Sequence, residues 1–339
     1  TAGATTLCQN APDETYTATA SNSTGIVYSV LPIVAGTINP STGVMDWDGG
    51  FSGTATITAT ATCPCGVTTA DRVVTVNVTP ATPTITPGGT TAICPGGSVI
   101  LTSSSASGNQ WYKDNVLLGG ETNQTYTADA NGAYTVIVTS LGCSSLPSDA
   151  TVVTTNTVTS ISVQPVGGAI CPGGNIVLSV TASGTNLHYQ WKQDGNNVGA
   201  DQNSFTATEA GSYTVVVTGD CGTATSDAAV VTMNTATTID VQPVGGAICP
   251  GGNILLSVTA SGTNLHYQWK YGVTNVGLDQ NTFAATIAGT YTVEVTGDCG
   301  TVTSDAAVVT VNAATTIDVQ PVGGAICPGG NILLSVRSE

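Results

Sequence analysis

The sequence predicts an all-β protein built from tandem Greek-key β-sandwiches arranged as an extended rod, and three observations support this prediction. Thr, Val, Ala, Gly and Ser dominate, while charged residues make up 8% and aromatic residues 5%, a mixture that favours pleated strands and tight turns over helix. Alternating runs such as Tyr213–Thr218 recur along the chain, and no segment shows an apolar stripe at helical spacing. The third observation is a long internal repeat whose units each hold several such runs.

The repeat is marked by residues that return at a fixed step. The segment Ala169–Asn175 returns at Ala247 and Ala325, a step of 78 residues. Three further sets recur at nearly the same step: Trp111, Trp191 and Trp269; Tyr134, Tyr213 and Tyr291; Cys143, Cys221 and Cys299. Such a period exceeds that of solenoid repeats and lets each unit enclose a small core of its own. The predicted domains are therefore 1–79, 80–157, 158–235 and 236–313, followed by 314–339 as the first strands of a truncated further repeat.

The third predicted domain shows how strands are assigned within one repeat. Clusters of Gly, Asn and Asp separate its apolar runs at turn spacing. The predicted strands are 176–182, 187–192, 204–208, 212–218 and 228–233.

The third repeat also carries motifs of a known family. The segment Glu209–Val215 resembles the D-x-G-x-Y-x-C corner of immunoglobulin domains, with Val215 in place of the cysteine. Trp191 resembles the buried tryptophan of strand C, and Val180 stands where the strand-B cysteine is expected. The resemblance implies immunoglobulin-like sandwiches in which an apolar set, Val180, Trp191 and Val215, replaces the inter-sheet disulfide. It also implies that the repeated tryptophans and tyrosines above are core pins.

Over residues 80–336 the repeats are similar to the Ig-like modules of large surface proteins in Bacteroidota, such as gliding adhesins and type IX secretion cargo. The first domain differs from them. Its segments 35–47 and 53–58 resemble putative-Ig and cadherin-like bacterial modules, and Ala55 stands where the corner tyrosine would be. We expect a sandwich there too, although little chain precedes it to form a first strand.

Ten cysteines at regular spacing indicate disulfides formed in an oxidising compartment. A zinc site is not expected, because the only close pair, Cys63 and Cys65, has no histidine nearby. Two pairings remain open. Pairing within each repeat would join Cys94–Cys143, Cys171–Cys221 and Cys249–Cys299, with Cys8 bound to Cys63 or Cys65.

The geometry implied by the immunoglobulin resemblance favours pairing between neighbouring domains. Cys171 precedes strand B and Cys221 follows strand F, which places them at opposite ends of one sandwich, roughly 20–30 Å apart for about ten residues at 3.3 Å each. A disulfide needs Cα atoms about 4.4–6.8 Å apart. The preferred inter-domain pairs are Cys8–Cys143, Cys94–Cys221 and Cys171–Cys299. Cys249 and Cys327 would then pair with domains outside this chain, and Cys63 or Cys65 would face a preceding domain.

Composition and motifs exclude several classes of function. A formal charge of −16, from 5 basic and 21 acidic residues, argues against nucleic acid and anionic membranes as partners. With no signal peptide and no apolar run of membrane-spanning length, we expect a mature or excised piece of an exported protein and no membrane insertion. His188 and His266 are repeat copies in separate domains, so no catalytic triad is expected. No cofactor is predicted, and Asp46 and Asp48 supply too few carboxylates for a calcium site.

The sequence therefore predicts a non-enzymatic, secreted or cell-surface stalk or adhesin segment that presents a distal binding region. One alternative is a self-assembling extracellular fibre subunit joined by strand donation from residues 314–339. Another is an accessory carbohydrate-binding module of a secreted enzyme, for which Trp47 and Tyr271 are the only candidate exposed aromatic residues. The expected partners are neighbouring Ig-like domains of the same or an adjacent chain, and surface glycans or proteins at a distal tip.

Overall fold

The computed structural model describes residues 1–337. Ser338 and Glu339, the end of the predicted truncated repeat, lie outside the described residues. The chain divides into two compact units, Thr1–Val158 and Thr159–Glu339, and each contains two β-sandwiches. Within residues 1–337 the secondary structure is β-strand, apart from a single 3-10 turn at Ile33–Ala35.

The first sandwich has a four-stranded sheet in the order β1-β7-β6-β3 and a three-stranded sheet in the order β2-β5-β4. Its strands are β1 (Thr6–Cys8), β2 (Glu14–Thr15), β3 (Gly25–Leu31), β4 (Gly36–Ile38), β5 (Val44–Trp47), β6 (Gly53–Cys63) and β7 (Gly66–Asn77). Strand β1 pairs in parallel with β7. The sandwich therefore has a first strand, although little chain precedes it.

The second sandwich completes the first unit. One sheet has the order β13-β10-β8, and the other has the order β12-β11-β14-β16-β9, with β15 paired to β14. Its strands are β8 (Ile85–Pro87), β9 (Ala92–Ile93), β10 (Val99–Ser103), β11 (Asn109–Lys113), β12 (Val116–Leu117), β13 (Thr125–Ala128), β14 (Gly132–Ser140), β15 (Cys143–Ser144) and β16 (Thr151–Thr155).

The third sandwich begins the second unit. Its larger sheet has the order β18-β26-β24-β21-β22, with β25 paired to β24, and its other face is formed by the pairs β17-β20 and β19-β23. Its strands are β17 (Ser160–Val163), β18 (Gly168–Ile170), β19 (Ile176–Ser179), β20 (Thr181–Ser183), β21 (His188–Gln193), β22 (Asn196–Val198), β23 (Ser204–Ala207), β24 (Gly211–Gly219), β25 (Gly222–Thr225) and β26 (Ala229–Met233).

The fourth sandwich repeats this topology strand for strand, with the sheet β28-β36-β34-β31-β32, β35 paired to β34, and the pairs β27-β30 and β29-β33. Its strands are β27 (Thr238–Val241), β28 (Gly246–Ile248), β29 (Ile254–Ser257), β30 (Thr259–Ser261), β31 (His266–Tyr271), β32 (Thr274–Val276), β33 (Thr282–Ala285), β34 (Gly289–Gly297), β35 (Gly300–Thr303) and β36 (Ala307–Val311).

Each sandwich encloses its own apolar core, and alternation along the strands explains which side chains enter it. On β24, Tyr213, Val215 and Val217 are buried while the residues between them face outward. The four cores draw on residues 16–76, 93–153, 170–231 and 248–309. The domain limits themselves stay a prediction.

The observed strands of the third sandwich differ from the predicted ones in two respects. The predicted strand 176–182 is divided into β19 and β20, because its pairing partner changes at Val180. The N–H of Val180 donates to Asn203 O and so extends the pairing of β19 with β23, whereas β20 pairs with β17. The short strands β17, β18, β22 and β25 were not predicted, since three or four residues carry too little alternation to be recognised.

The segment that follows β36 has little regular structure. From residue 314 to 337 it is exposed, and its only pairing among the described residues is an isolated bridge between Val319 and Arg337. Its assignment as a truncated repeat stays a prediction.

Candidate functional site: disulfides between neighbouring sandwiches

Within the first unit, a disulfide joins the first sandwich to the second. Cys8 ends β1, the edge strand parallel to the last strand β7, and Cys143 begins β15 in the hairpin after β14. Their Cα atoms are 5.6 Å apart, within the range that disulfides require. Cys143 is buried, so the bond sits inside the junction and not on its rim.

The second unit contains the same arrangement. Cys171 directly follows β18, the strand parallel to β26, and Cys299 lies in the hairpin between β34 and β35. Their Cα atoms are 5.5 Å apart. In both units the bond therefore connects the parallel edge strand of one sandwich to the hairpin of the next, and we call each bond a junction disulfide.

Of the three preferred pairs, Cys8–Cys143 and Cys171–Cys299 are the junction disulfides of the structure, while Cys94–Cys221 stays a prediction. Cys63, Cys65, Cys249 and Cys327 are free thiols. Cys249 occupies the same place after β28 as Cys171 does after β18, and Cys63 and Cys65 lie at the β6–β7 hairpin. Peptide mapping under non-reducing conditions tests the pairing in the purified protein.

Asparagines beside the junction disulfides contribute contacts that the sequence analysis missed. Asn77 Nδ2 donates to Leu141 O at 2.9 Å in the first unit. In the second unit, Asn234 Nδ2 donates to Asp298 Oδ2 at 3.2 Å. Both asparagines stand where the last strand of the preceding sandwich ends. The sequence contains a signal for these contacts, because asparagine recurs at the repeat step, with Asn156 and Asn312 at the corresponding positions of the other repeats.

Asp298 organises the hairpin side of the second junction. Its carboxylate also accepts a bond from Asn264 Nδ2 at 2.8 Å, and Thr235 N donates to Thr263 Oγ1 at 3.0 Å across the same junction. These polar contacts lie at the surface, where each one adds little. They orient the adjoining ends of the third and fourth sandwiches, and the disulfide provides the covalent link between them.

The predicted core pins are buried in their sandwiches. Trp111, Trp191 and Trp269 are fully buried, and each indole N–H donates to a backbone carbonyl, that of Asn123, Gln202 or Gln280. The hydroxyl groups of Tyr134, Tyr213 and Tyr291 donate to the carbonyl four residues earlier, at 2.9 Å in each case. This bond is the tyrosine corner of immunoglobulin-like sandwiches. Burial raises the pKa of Tyr213 above its ordinary value.

A buried serine next to each corner was not recognised from the sequence. Ser226 Oγ accepts a hydrogen bond from Val215 N at 2.9 Å and donates to Asp227 O at 2.8 Å. Ser148 and Ser304 do the same for Val136 and Val293. The sequence signal for this serine is a Ser-Asp pair that recurs at the repeat step.

The remaining candidate residues do not assemble a reactive centre. His188 Nδ1 lies 2.7 Å from Asp201 Oδ2 on the surface, and His266 repeats the contact with Asp279. The bond from His188, and then the N–H of Tyr189, lower the pKa of Asp201. Asp48 accepts a bond from Gly50 N within its own turn. Among residues 1–337, no group of three or more His, Cys, Asp or Glu side chains is placed to hold a metal ion.

Trp47 and Tyr271 are the two aromatic residues predicted as exposed candidates for carbohydrate stacking, and the prediction for Trp47 is wrong. Trp47 is only 7% exposed and stacks on Phe51 at a centroid distance of 6.4 Å, because it fills the core of the first sandwich. Tyr271 is 37% exposed, and its hydroxyl donates to Ala288 O. In the part of the chain that the structure describes, no helix has the length and apolar character to cross a membrane.

Comparisons with known proteins bear on the fold alone. No family model matches the chain, and no curated protein sequence matches it. Similar solved structures include a titin I67–I69 variant (13% identity, TM-score 0.44, 69% of this chain and 97% of that one) and Sidekick-1 immunoglobulin domains 1–5 (12%, 0.40, 88% and 74%). The eight N-terminal Ig domains of DSCAM are also similar (16%, 0.44, 91% and 48%). The strand topology and the tyrosine corners described above define the chain as tandem immunoglobulin-like sandwiches.

Proposed function

We propose that this chain is a non-catalytic extracellular stalk segment of a bacterial cell-surface or secreted protein of the Bacteroidota adhesin type, which presents a distal binding region. The observation that supports it best is the junction disulfide, which appears in both units between the same two elements. Flexible junctions permit relative motion between domains, and a covalent link near the junction restricts that motion. Disulfides persist in oxidising compartments, which favours an extracellular location.

Small-angle scattering of the oxidised chain tests the stalk. A compact chain of this length would have a radius of gyration of about 20 Å. Four sandwiches in line, each about 30 Å long for a nine-residue strand at 3.3 Å per residue, would give about 35 Å. A value near 20 Å would contradict the proposal.

A second assay tests stand-off from a surface. The chain is placed between a membrane anchor and a fluorescent protein, and the height of the fluorophore is compared with that of the same fusion lacking the chain. An increase of roughly 120 Å is expected from four sandwiches in line. An unchanged height would argue against a stalk.

The fibre alternative is favoured by one observation, the exposed apolar side chains of residues 314–337, among them Val322 and Leu333. If this segment completes a sheet in a neighbouring copy, its deletion abolishes polymers of the purified chain. The stalk proposal expects a monomer before and after the deletion.

A further inference from the structure

We propose that the junction disulfides make this chain a tether of limited length, because tension applied at its two ends passes through the S–S bonds and bypasses the 135- and 128-residue segments that they close. The biological role of such a tether rests on the proposed stalk function. The limit on its length is independent of that function, because it follows only from which residues the two disulfides join.

The shortest covalent path through the chain is set by the two disulfides. From Thr1 it reaches Cys8, crosses to Cys143, follows the backbone to Cys171, crosses to Cys299 and continues to the C-terminus. The bonds span 135 and 128 residues, and these residues lie off the path. A Cys94–Cys221 bond would not shorten it, since reaching Cys94 from Cys143 requires moving backward along the chain.

Most of the core residues lie off this path. The tyrosine-corner strand β14 and Trp111 fall between Cys8 and Cys143, and Trp191 and Trp269 fall between Cys171 and Cys299. In the first sandwich, the core residues 16–76 also lie between Cys8 and Cys143. The buried core residues on the path are Val153, Ile170, Ala307 and Val309. Pulling the chain therefore does not extend the two segments that the disulfides close, even after the sandwiches lose their folded structure.

The internal loaded segment, 143–171, has little slack. It contains the strands β15, β16, β17 and β18, which are already extended. At full extension its 29 residues reach roughly 100 Å. Strand β18 is held to β26 by a parallel ladder over Gly168–Ile170, so tension along β18 loads these hydrogen bonds together instead of one after another.

The length of chain that the disulfides keep from extending distinguishes this arrangement from pairing within each repeat. The separations of 135 and 128 residues together correspond to roughly 950 Å of extended chain at about 3.6 Å per residue. Pairing within repeats would close three loops of about 50 residues each and a fourth of about 56 residues from Cys8 to Cys63 or Cys65, which together keep roughly 740 Å from extending.

Single-molecule force spectroscopy on the full chain, held at its termini, tests the proposal by comparing the contour length at full stretch before and after reduction. We expect reduction to lengthen the chain by roughly 950 Å. An increase near 740 Å, or no increase, would overturn the proposal. The readout does not depend on refolding, because contour length at full stretch counts only covalent connections.

A matched control uses the free thiol that occupies the position of Cys171 in the next repeat. Cys249→Ser should leave both contour lengths unchanged, because Cys249 is in no disulfide of this chain. Failure of the stalk is recognised separately, by a radius of gyration near 20 Å, whatever the force experiment gives.

Discussion

Substitution of Ser226 by alanine should weaken the third sandwich by removing a buried hydrogen-bond acceptor. The hydroxyl accepts the N–H of Val215 and donates to Asp227 O, and the side chain is 7% exposed. Alanine leaves the Val215 N–H without its partner in a core strand. A buried backbone donor left unsatisfied costs about 1–3 kcal/mol, which corresponds to roughly 5- to 150-fold in the local opening equilibrium.

Hydrogen exchange followed by mass spectrometry measures this effect locally. Peptides covering β24 should exchange roughly 5- to 150-fold faster in Ser226→Ala. The corresponding peptides of β34 should not change, because Ser304 still accepts the Val293 N–H in the fourth sandwich. Ser179→Ala, the same chemical change at an exposed position of β19, serves as the matched control. Equal exchange of β24 in the wild-type and Ser226→Ala proteins would refute the assigned role of this serine.

Three further predictions concern the corner, the junction and the surface. Tyr213→Phe removes the bond of the tyrosine corner and should lower the stability of the third sandwich by about 1 kcal/mol, measured by urea denaturation. Gly167→Ala should slow formation of the Cys171–Cys299 bond in oxidative refolding assays, because the added Cβ would lie 2.0 Å from Val230 O and displace β18. His266→Ala should raise the pKa of Asp279, since their bond is the largest cause of its depression. NMR titration checks this shift. In the wild-type protein, the stability that comes from the lowered pKa of Asp279 is present above the unfolded pKa of this carboxyl group and should be lost as the pH falls through its folded pKa.

The strands that carry the cores could be predicted because their pattern is long. β24 alternates over nine residues, and its Tyr213 falls in a corner motif with a known structural role. The strand β18 could not be predicted, because three residues hold no periodic signal. What defines β18 is its parallel pairing with β26, in which Gly168 lies opposite Val231, and this is a contact between distant parts of the sequence.

The junction could be predicted only in part. The positions of Cys171 and Cys299 follow from the strand directions that the immunoglobulin resemblance implies, and these directions favour pairing between neighbours. The contacts around them depend on the rotation of one sandwich against the next, which no local pattern encodes. Asn234 and Asp298 are common turn residues, and their contact becomes visible only when the two sandwiches are placed together.

The position of the cysteines indicates that the junction disulfides serve the connection between sandwiches more than the stability of any one of them. Val180 and Val215 are buried where an inter-sheet disulfide would lie, and burial of such side chains contributes about 1.5–3 kcal/mol each. Closing a loop of 128 residues instead of about 50 adds only about 0.8 kcal/mol of chain entropy. That difference is small beside the change in mechanics, since a disulfide within one core would leave the next junction dependent on non-covalent contacts. Cysteines placed at the junctions connect the first sandwich covalently to the second and the third to the fourth, and the apolar cores stabilise the individual sandwiches without them.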